Sequence, residues 1–164
     1  VISQALNNYA DEALKRMGVL AGKIEGYEEL RKKVIAGLRK NYSDTAIRCF
    51  IEKKNYGALP DSDAYARLTG PCGDTMEFYL KVRGGQIKKV SFTTDGCESS
   101  VACGQMVSEE ITGRSAEEVM ELTQKKILAA IGKFPEESFH CALLAVNTAK
   151  AAVRNYRERK NDKG

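Results

Sequence analysis

The sequence predicts an α+β domain: a small antiparallel sheet of three strands with helices packed on one face, preceded by extra N-terminal helices. Three observations predict it. Residues 75–83 alternate, with Met76, Phe78, Leu80 and Val82 set against Thr75, Glu77, Tyr79, Lys81 and Arg83, which is the period of a strand buried on one side. Gly84-Gly85 then supplies a tight hairpin, and Val90, Phe92 and Thr94 continue the alternation in a return strand. On both sides of this block the apolar spacing reverts to three and four, the helical period, so helices stack on a sheet meander.

In chain order, Ile2, Leu6, Tyr9, Ala10, Ala13, Leu14 and Met17 mark a first helix, and Leu30, Val34, Ile35 and Leu38 a second, with Gly18, Gly22 and Gly26 as punctuation. A third helix is expected from the N-cap Ser43, with Ile47, Phe50 and Ile51 on one face, stopping near Gly57 before Pro60. Residues 62–70, ending at Gly70-Pro71, are the candidate first strand. After the hairpin, Cys103, Val107 and Ile111, with Met106 beside them, form a helical stripe that Gly113 ends. Short helices follow the Ser115-x-x-Glu118 capping box and span Gln124–Ile131, closed by Gly132 and Pro135. A last helix starts near Ser138 and runs past Tyr156 into a basic tail, Arg157–Gly164, expected to fray. The natural division is a helical extension, 1–42, and a domain, 43–164. The two extension helices carry apolar faces that need covering, by packing on the domain, by dimerisation or by a partner protein, and dimerisation is the favoured use.

Composition narrows the function. The chain of 164 residues is 43% hydrophobic, enough for one core. Five cysteines, an odd number, with no signal-peptide pattern and no membrane-length apolar run argue against a disulfide framework and for a reducing, cytoplasmic setting. The net charge of +4 comes from residues 1–57, with 11 basic and 7 acidic side chains, while the rest is balanced. Its basic clusters lack interleaved aromatics or a groove-reading motif, so nucleic acid is not expected as a partner.

The chemistry concentrates in three strings: Gly70-Pro71-Cys72-Gly73-Asp74, Thr94-Asp95-Gly96-Cys97-Glu98-Ser99 and Phe139-His140-Cys141, where His140 is the one histidine present. Turn residues surround each thiol, so backbone can approach a ligand closely. If Cys72 opens a strand, Asp74 two residues on projects to the same face and adds a harder oxygen donor. Cys97 and Cys141 at helix starts face the positive end of the dipole, which favours thiolate relative to a free thiol near ~8.5. Three cysteines plus Asp74 or His140 complete four-coordination, for an iron-sulfur cluster with one exchangeable corner or for tetrahedral zinc. Cys103, on its helix stripe, and Cys49 are read as core cysteines.

The strings Thr69-Gly70-Pro71-Cys72-Gly73-Asp74-Thr75-Met76, Thr94-Asp95-Gly96-Cys97 and His140-Cys141-Ala142-Leu143-Leu144-Ala145, with Asn55-Tyr56-Gly57-Ala58-Leu59-Pro60-Asp61 ahead of them, resemble the U-type iron-sulfur cluster assembly scaffolds, the IscU/NifU N-terminal family. The likeness covers about residues 43–156. It implies a scaffold and carrier, not an enzyme: a [2Fe-2S] cluster is built on Cys72, Cys97 and Cys141, with Cys141 a candidate sulfur acceptor, Asp74 tuning release and His140 an alternate ligand or proton carrier. It further implies persulfide sulfur from a cysteine desulfurase, iron and electron donors, and apoprotein acceptors. Zinc could occupy the same ligands, as in a zinc-dependent sulfurtransferase or a zinc-stabilised interaction module. The zinc-using branch carries an insertion between the second and third cysteines, whereas 42 residues separate Cys97 from His140 here. Glu98 stands where a small residue usually follows the second cysteine. Phe134-Pro135-Glu136-Glu137-Ser138 replaces the Leu-Pro-Pro-Val-Lys segment gripped by an Hsp70-type chaperone, so that partner is not carried over.

Overall fold

The computed structural model describes residues 2–20 and 24–164, with backbone alone at 2 and 3. Expectations resting on the Ile2 side chain and on Gly22 lie outside the described residues. The elements are α1 (Ile2–Arg16), α2 (Tyr27–Asn41), α3 (Asp44–Glu52), β1 (Ala64–Thr69), β2 (Thr75–Arg83), β3 (Gln86–Thr94), α4 (Glu98–Ile111), α5 (Ala116–Met120), α6 (Gln124–Ile131), a 3-10 turn at Glu136–Ser138, and α7 (Phe139–Asp162). The fold class is the one expected, a three-stranded antiparallel sheet in the order β1-β2-β3 with helices laid on it.

The β2 alternation buries Met76, Phe78 and Leu80 completely, and their partners Ala64, Ala66, Val90 and Phe92 share that face. The hairpin glycines take the left-handed backbone, φ 58° at Gly84 and 76° at Gly85. A register shift opposite Lys81 and Val82 skips Lys88 in the pairing, so Ile87 and Val90 both point inward although they are three apart. The helices α4 and α7 cover this apolar face. The α4 backbone touches the Phe92 ring: a β-carbon at Gly104 would sit 3.0 Å from its Cζ and closer still to two other ring carbons. The opposite face is polar, and there Glu77 accepts hydrogen bonds from Tyr65, Tyr79 and Thr93.

Both sheet edges are occupied. Phe92 of β3 pairs with Asn55 and Gly57 through backbone hydrogen bonds of 3.0 and 2.8 Å. On the β1 edge the Asn155 amide of α7 donates to the Tyr65 carbonyl at 2.9 Å. The C-terminal segment expected to fray is instead helical to Asp162, tied down by Arg157 on Glu117 and Arg159 on the Asp63 carbonyl.

At the other end of the chain, Ser43 caps α3 through the Ala46 amide as expected. The helix stops earlier than Gly57, however, because Lys53 takes the left-handed conformation, φ 48°. Leu6, Ala10 and Leu14 of α1 are buried, and Tyr9 packs on Phe50 with ring centroids 5.7 Å apart. The α1 stripe is therefore covered within the chain, whereas Leu30, Val34, Ile35 and Leu38 of α2 are only partly buried. Met17 lies past the end of α1 and is 73% exposed.

Candidate functional site

The first of the three thiol strings is a turn, not a strand start. The Gly70 amide donates to the Asp74 carbonyl and the Gly73 amide to the Gly70 carbonyl, at 2.8 and 3.0 Å. β2 begins only at Thr75, so the shared-face argument for Cys72 and Asp74 gives way to a different geometry. Cys72 stands exposed at the tip while Asp74, half-buried, accepts a hydrogen bond from the buried Ser100. Asp95 of the second string fastens the two turns together, its carboxylate accepting from the Thr75 amide at 2.7 Å and its own amide donating to the Thr75 carbonyl at 3.3 Å. Thr94 adds a hydroxyl bond to that same carbonyl.

Cys97 is the N-cap of α4, and its thiol makes no capping hydrogen bond, so the exposed sulfur is left free. One turn into the helix, the Ser100 hydroxyl lies 3.1 Å from Asp74 Oδ2 and 3.4 Å from Cys141 Sγ. A β-carbon at position 96 would crowd the Ser100 side chain and come within 2.7 Å of Asp74 Oδ2, so a glycine at this turn is a packing requirement. The neighbouring Ser99 hydroxyl meets Tyr42 Oη at 2.9 Å. Burial raises the Tyr42 hydroxyl above its ordinary value, the Ser99 bond opposing, with Cys97, Glu98 and Cys141 adding to the rise.

Cys141 sits in the first turn of α7 and is only 2% exposed. Its thiol is pushed up, not down as its place at a helix start suggested. Burial is the main cause, Ser100 opposes it, and Cys97, Asp74 and Cys72 add to it. The strings meet through hydrogen bonds: Asp95 ties the Cys97 turn to the turn that carries Cys72 and Asp74, and Ser100 links Asp74 to Cys141. His140 is exposed, with Nε2 3.7 Å from the Cys141 sulfur. Among the described residues no three cysteine, histidine or acidic side chains stand ready to hold a metal ion without moving. The donor set, three soft thiols and one oxygen, nonetheless suits iron, iron-sulfide or zinc.

The remaining cysteines are core residues. Cys49 and Cys103 are fully buried; burial pushes Cys49 up to about 12 and raises Cys103 well above the ordinary thiol value. Glu98 accepts a hydrogen bond from Tyr9 of α1 at 2.9 Å. Beside it, a cleft of about 500 Å³ between α1, α3 and the Cys97 turn is lined by Tyr9, Arg16, Phe50, Lys53 and Cys97. Sequence reasoning missed Ser100, Ser99 and Tyr42. The available signal for Ser100 was its place three residues before Cys103 on the α4 stripe, a polar side chain on a face otherwise apolar.

A family model describing the NifU-like N-terminal domain matches residues 41–163. The iron-sulfur cluster assembly scaffold protein IscU 1 of Archaeoglobus fulgidus is 33% identical over 123 residues, covering 74% of this chain and 80% of that protein. The Aquifex aeolicus scaffold protein IscU is 31% identical over 118 residues, covering 70% and 75%. The crystal structure of the N-terminal part of a nitrogen-fixing NifU-like protein from Brucella abortus superposes with a TM-score of 0.59, covering 74% of this chain and 98% of that one at 20% identity, a likeness of fold alone.

Proposed function

The chain belongs to the NifU-like N-terminal domain family, and from that premise we propose that it is an iron-sulfur cluster assembly scaffold whose product is a [2Fe-2S] cluster. Residues 43–164 are the scaffold domain in this reading and residues 1–42 an extension packed on it. The observation that carries the reading is the meeting of the three thiol-bearing strings at one end of the sheet, where Asp95 ties the Cys97 turn to the turn carrying Cys72 and Asp74, and Ser100 links Asp74 to Cys141.

Iron and sulfide are the cargo, and the residues divide by exposure. Cys72 and Cys97 are open to a partner and are the thiols that receive sulfur first. Cys141, candidate acceptor on sequence grounds, serves as the inner ligand, because a buried thiol with a raised pKa is a poor first nucleophile. The sulfur comes as a persulfide on a cysteine desulfurase. A thiolate of this chain attacks the terminal sulfur, forming a new S–S bond as the donor's S–S bond breaks. Two electrons from an electron-donor protein then reduce each such sulfur to sulfide, and an iron donor completes the cluster. A carboxylate at the fourth position binds iron more weakly than a fourth thiolate, which suits a cluster that must pass to apoproteins. His140 is the alternate fourth ligand, and zinc is the metal these residues would hold when no cluster is built. The setting is cytoplasmic, in keeping with five unpaired cysteines. Among the described residues no helix is long and apolar enough to cross a membrane.

Anaerobic reconstitution with iron and a sulfide source, followed by absorption and Mössbauer spectra, tests the reading. The wild-type chain and Asp74→Ala should both give a [2Fe-2S] spectrum, the variant losing its cluster to a chelator or apo-acceptor more slowly. Equal loss rates would remove the role given to Asp74. A chain that takes up zinc and never develops an iron-sulfide chromophore would overturn the proposal in favour of a zinc-dependent sulfurtransferase.

A further inference from the structure

The geometry points to Ser100 as the positioning residue that fixes Asp74 as the oxygen donor of the site, an inference that deepens the scaffold reading and rests on it. Ser100 is fully buried, on the one turn of α4 that faces both Asp74 and Cys141. Its hydroxyl reaches Asp74 Oδ2 at 3.1 Å and Cys141 Sγ at 3.4 Å. A hydroxyl carries one hydrogen and therefore donates to one of these at a time. Donated to the carboxylate, it engages Oδ2 and leaves Oδ1 as the oxygen free for the thiol cluster. Asp74 comes from a five-residue turn with no strand geometry of its own, and Ser100 is the one hydrogen-bond donor to its carboxylate among the described residues. Without that bond nothing else in the site fixes the carboxylate's direction.

The surroundings are built to keep this contact. Position 96 has no room for a β-carbon, which would meet Ser100 Oγ and Cβ and stand 2.7 Å from Asp74 Oδ2. Gly70, at the base of the Asp74 turn, has Leu144 of α7 beside it, 3.4 Å from where a β-carbon would be, so α7 borders the turn as well. Outer hydrogen-bond partners of this kind orient the groups that bind metal. Removing Ser100 should therefore weaken metal binding in the way that partial loss of Asp74 would, and should do nothing further once Asp74 is gone. A merely structural serine would act equally in both backgrounds.

The test compares the full chain, Ser100→Ala, Asp74→Ala and the double variant, with zinc alone as the first probe. Zinc affinity of the metal-free proteins is read by competition with a chromophoric chelator. Ser100→Ala should lower it about tenfold, the usual scale for losing an outer partner. The double variant should match Asp74→Ala within about twofold, since coupled residues fail to add. The second readout is the rate of cluster loss to a chelator after reconstitution, a kinetic quantity set by exchange at the oxygen corner and distinct from equilibrium zinc affinity: Ser100→Ala should slow it in the same direction as Asp74→Ala, by less, and the double variant should equal Asp74→Ala. Gly96→Ala, which crowds the same contact from outside, should reproduce the zinc effect and serves if Ser100→Ala does not fold by circular dichroism. Unchanged zinc affinity, or an equal drop with and without Asp74, would overturn the assignment. Failure of the wild-type chain to build a cluster would instead sink the scaffold reading, while the zinc cycle still decides the part played by Ser100.

Discussion

The sheet with α4 and α7, and the N-terminal pair α1 and α2, are attached in different ways. In the first region apolar surfaces meet with no spare volume: Phe78 stacks on Phe92 at 5.9 Å between centroids, and Gly104 admits the Phe92 ring only because it has no side chain. In the second, a narrow stripe of Leu6, Ala10 and Leu14 is supplemented by polar ties: Asp11 accepting from Tyr27 and Arg31, and Tyr9 donating to Glu98. The contrast assigns different work to each. The tightly packed region fixes where the three thiol-bearing strings end, since β1, β2, β3, α4 and α7 all lead into or out of them. Of the N-terminal pair, α1 touches the site from one flank, at Glu98 and the cleft beside Cys97.

Gly104→Ala should have the largest effect on this contrast. An added methyl in a close-packed core forces side chains and backbone apart at about 1–3 kcal/mol, and here the obstacle is a ring stacked on another ring. Chemical denaturation should show a lower midpoint with the slope unchanged; wild-type stability would mean that α4 sits further from the sheet than described. Next comes Glu109→Gln. Glu109 accepts both guanidinium nitrogens of Arg48, at 2.8 and 2.9 Å, joining α3 to α4. The Arg48 bonds hold the Glu109 carboxyl below its ordinary value, burial opposing and Gln105 assisting. A carboxyl whose folded pKa is depressed stabilises fully above its unfolded value and loses that contribution as pH falls through the folded one. The substitution should therefore cost about 1–2 kcal/mol near neutrality, and the difference from wild type should close as pH drops below the carboxylate range. A gap that stayed constant with pH would show that shape, not charge, is what Glu109 supplies.

The sequence exposed the hairpin and the order of the three cysteine strings because both are local: alternation at 75–83 and turn residues beside each thiol need no knowledge of the rest of the chain. The features it hid are those decided across distance. Lys88 drops out of register only because Ile87 pairs with Val82, so an alternation counted from Val90 cannot place Ile87. Lys53 ends α3 in a conformation usual for glycine, which drew attention to Gly57 instead. Cys141 at a helix start reads as an activated thiol until the fold buries it and, through Ser100, sets the Asp74 carboxylate beside it. Ser100 joins Asp74, 26 residues before it, to Cys141, 41 residues after it, and neither separation leaves a mark in a local pattern.

The smallest effect is expected at Tyr9, and it tests the other side of the contrast. The Tyr9 hydroxyl is held above its ordinary value by burial and by the hydrogen bond it gives Glu98, so the tyrosine stays neutral and keeps donating throughout the working pH range. Tyr9→Phe keeps the ring against Phe50 and deletes only that donor. The loss should be about 0.5–1.5 kcal/mol, one hydrogen bond, because Glu98 is exposed and can turn to water. Thermal melting of the variant beside Gly104→Ala gives the comparison directly. A drop as large as that of Gly104→Ala would mean that α1 is fastened to the Cys97 turn as firmly as α4 is to the sheet, and that the N-terminal helices belong to the framework of the site.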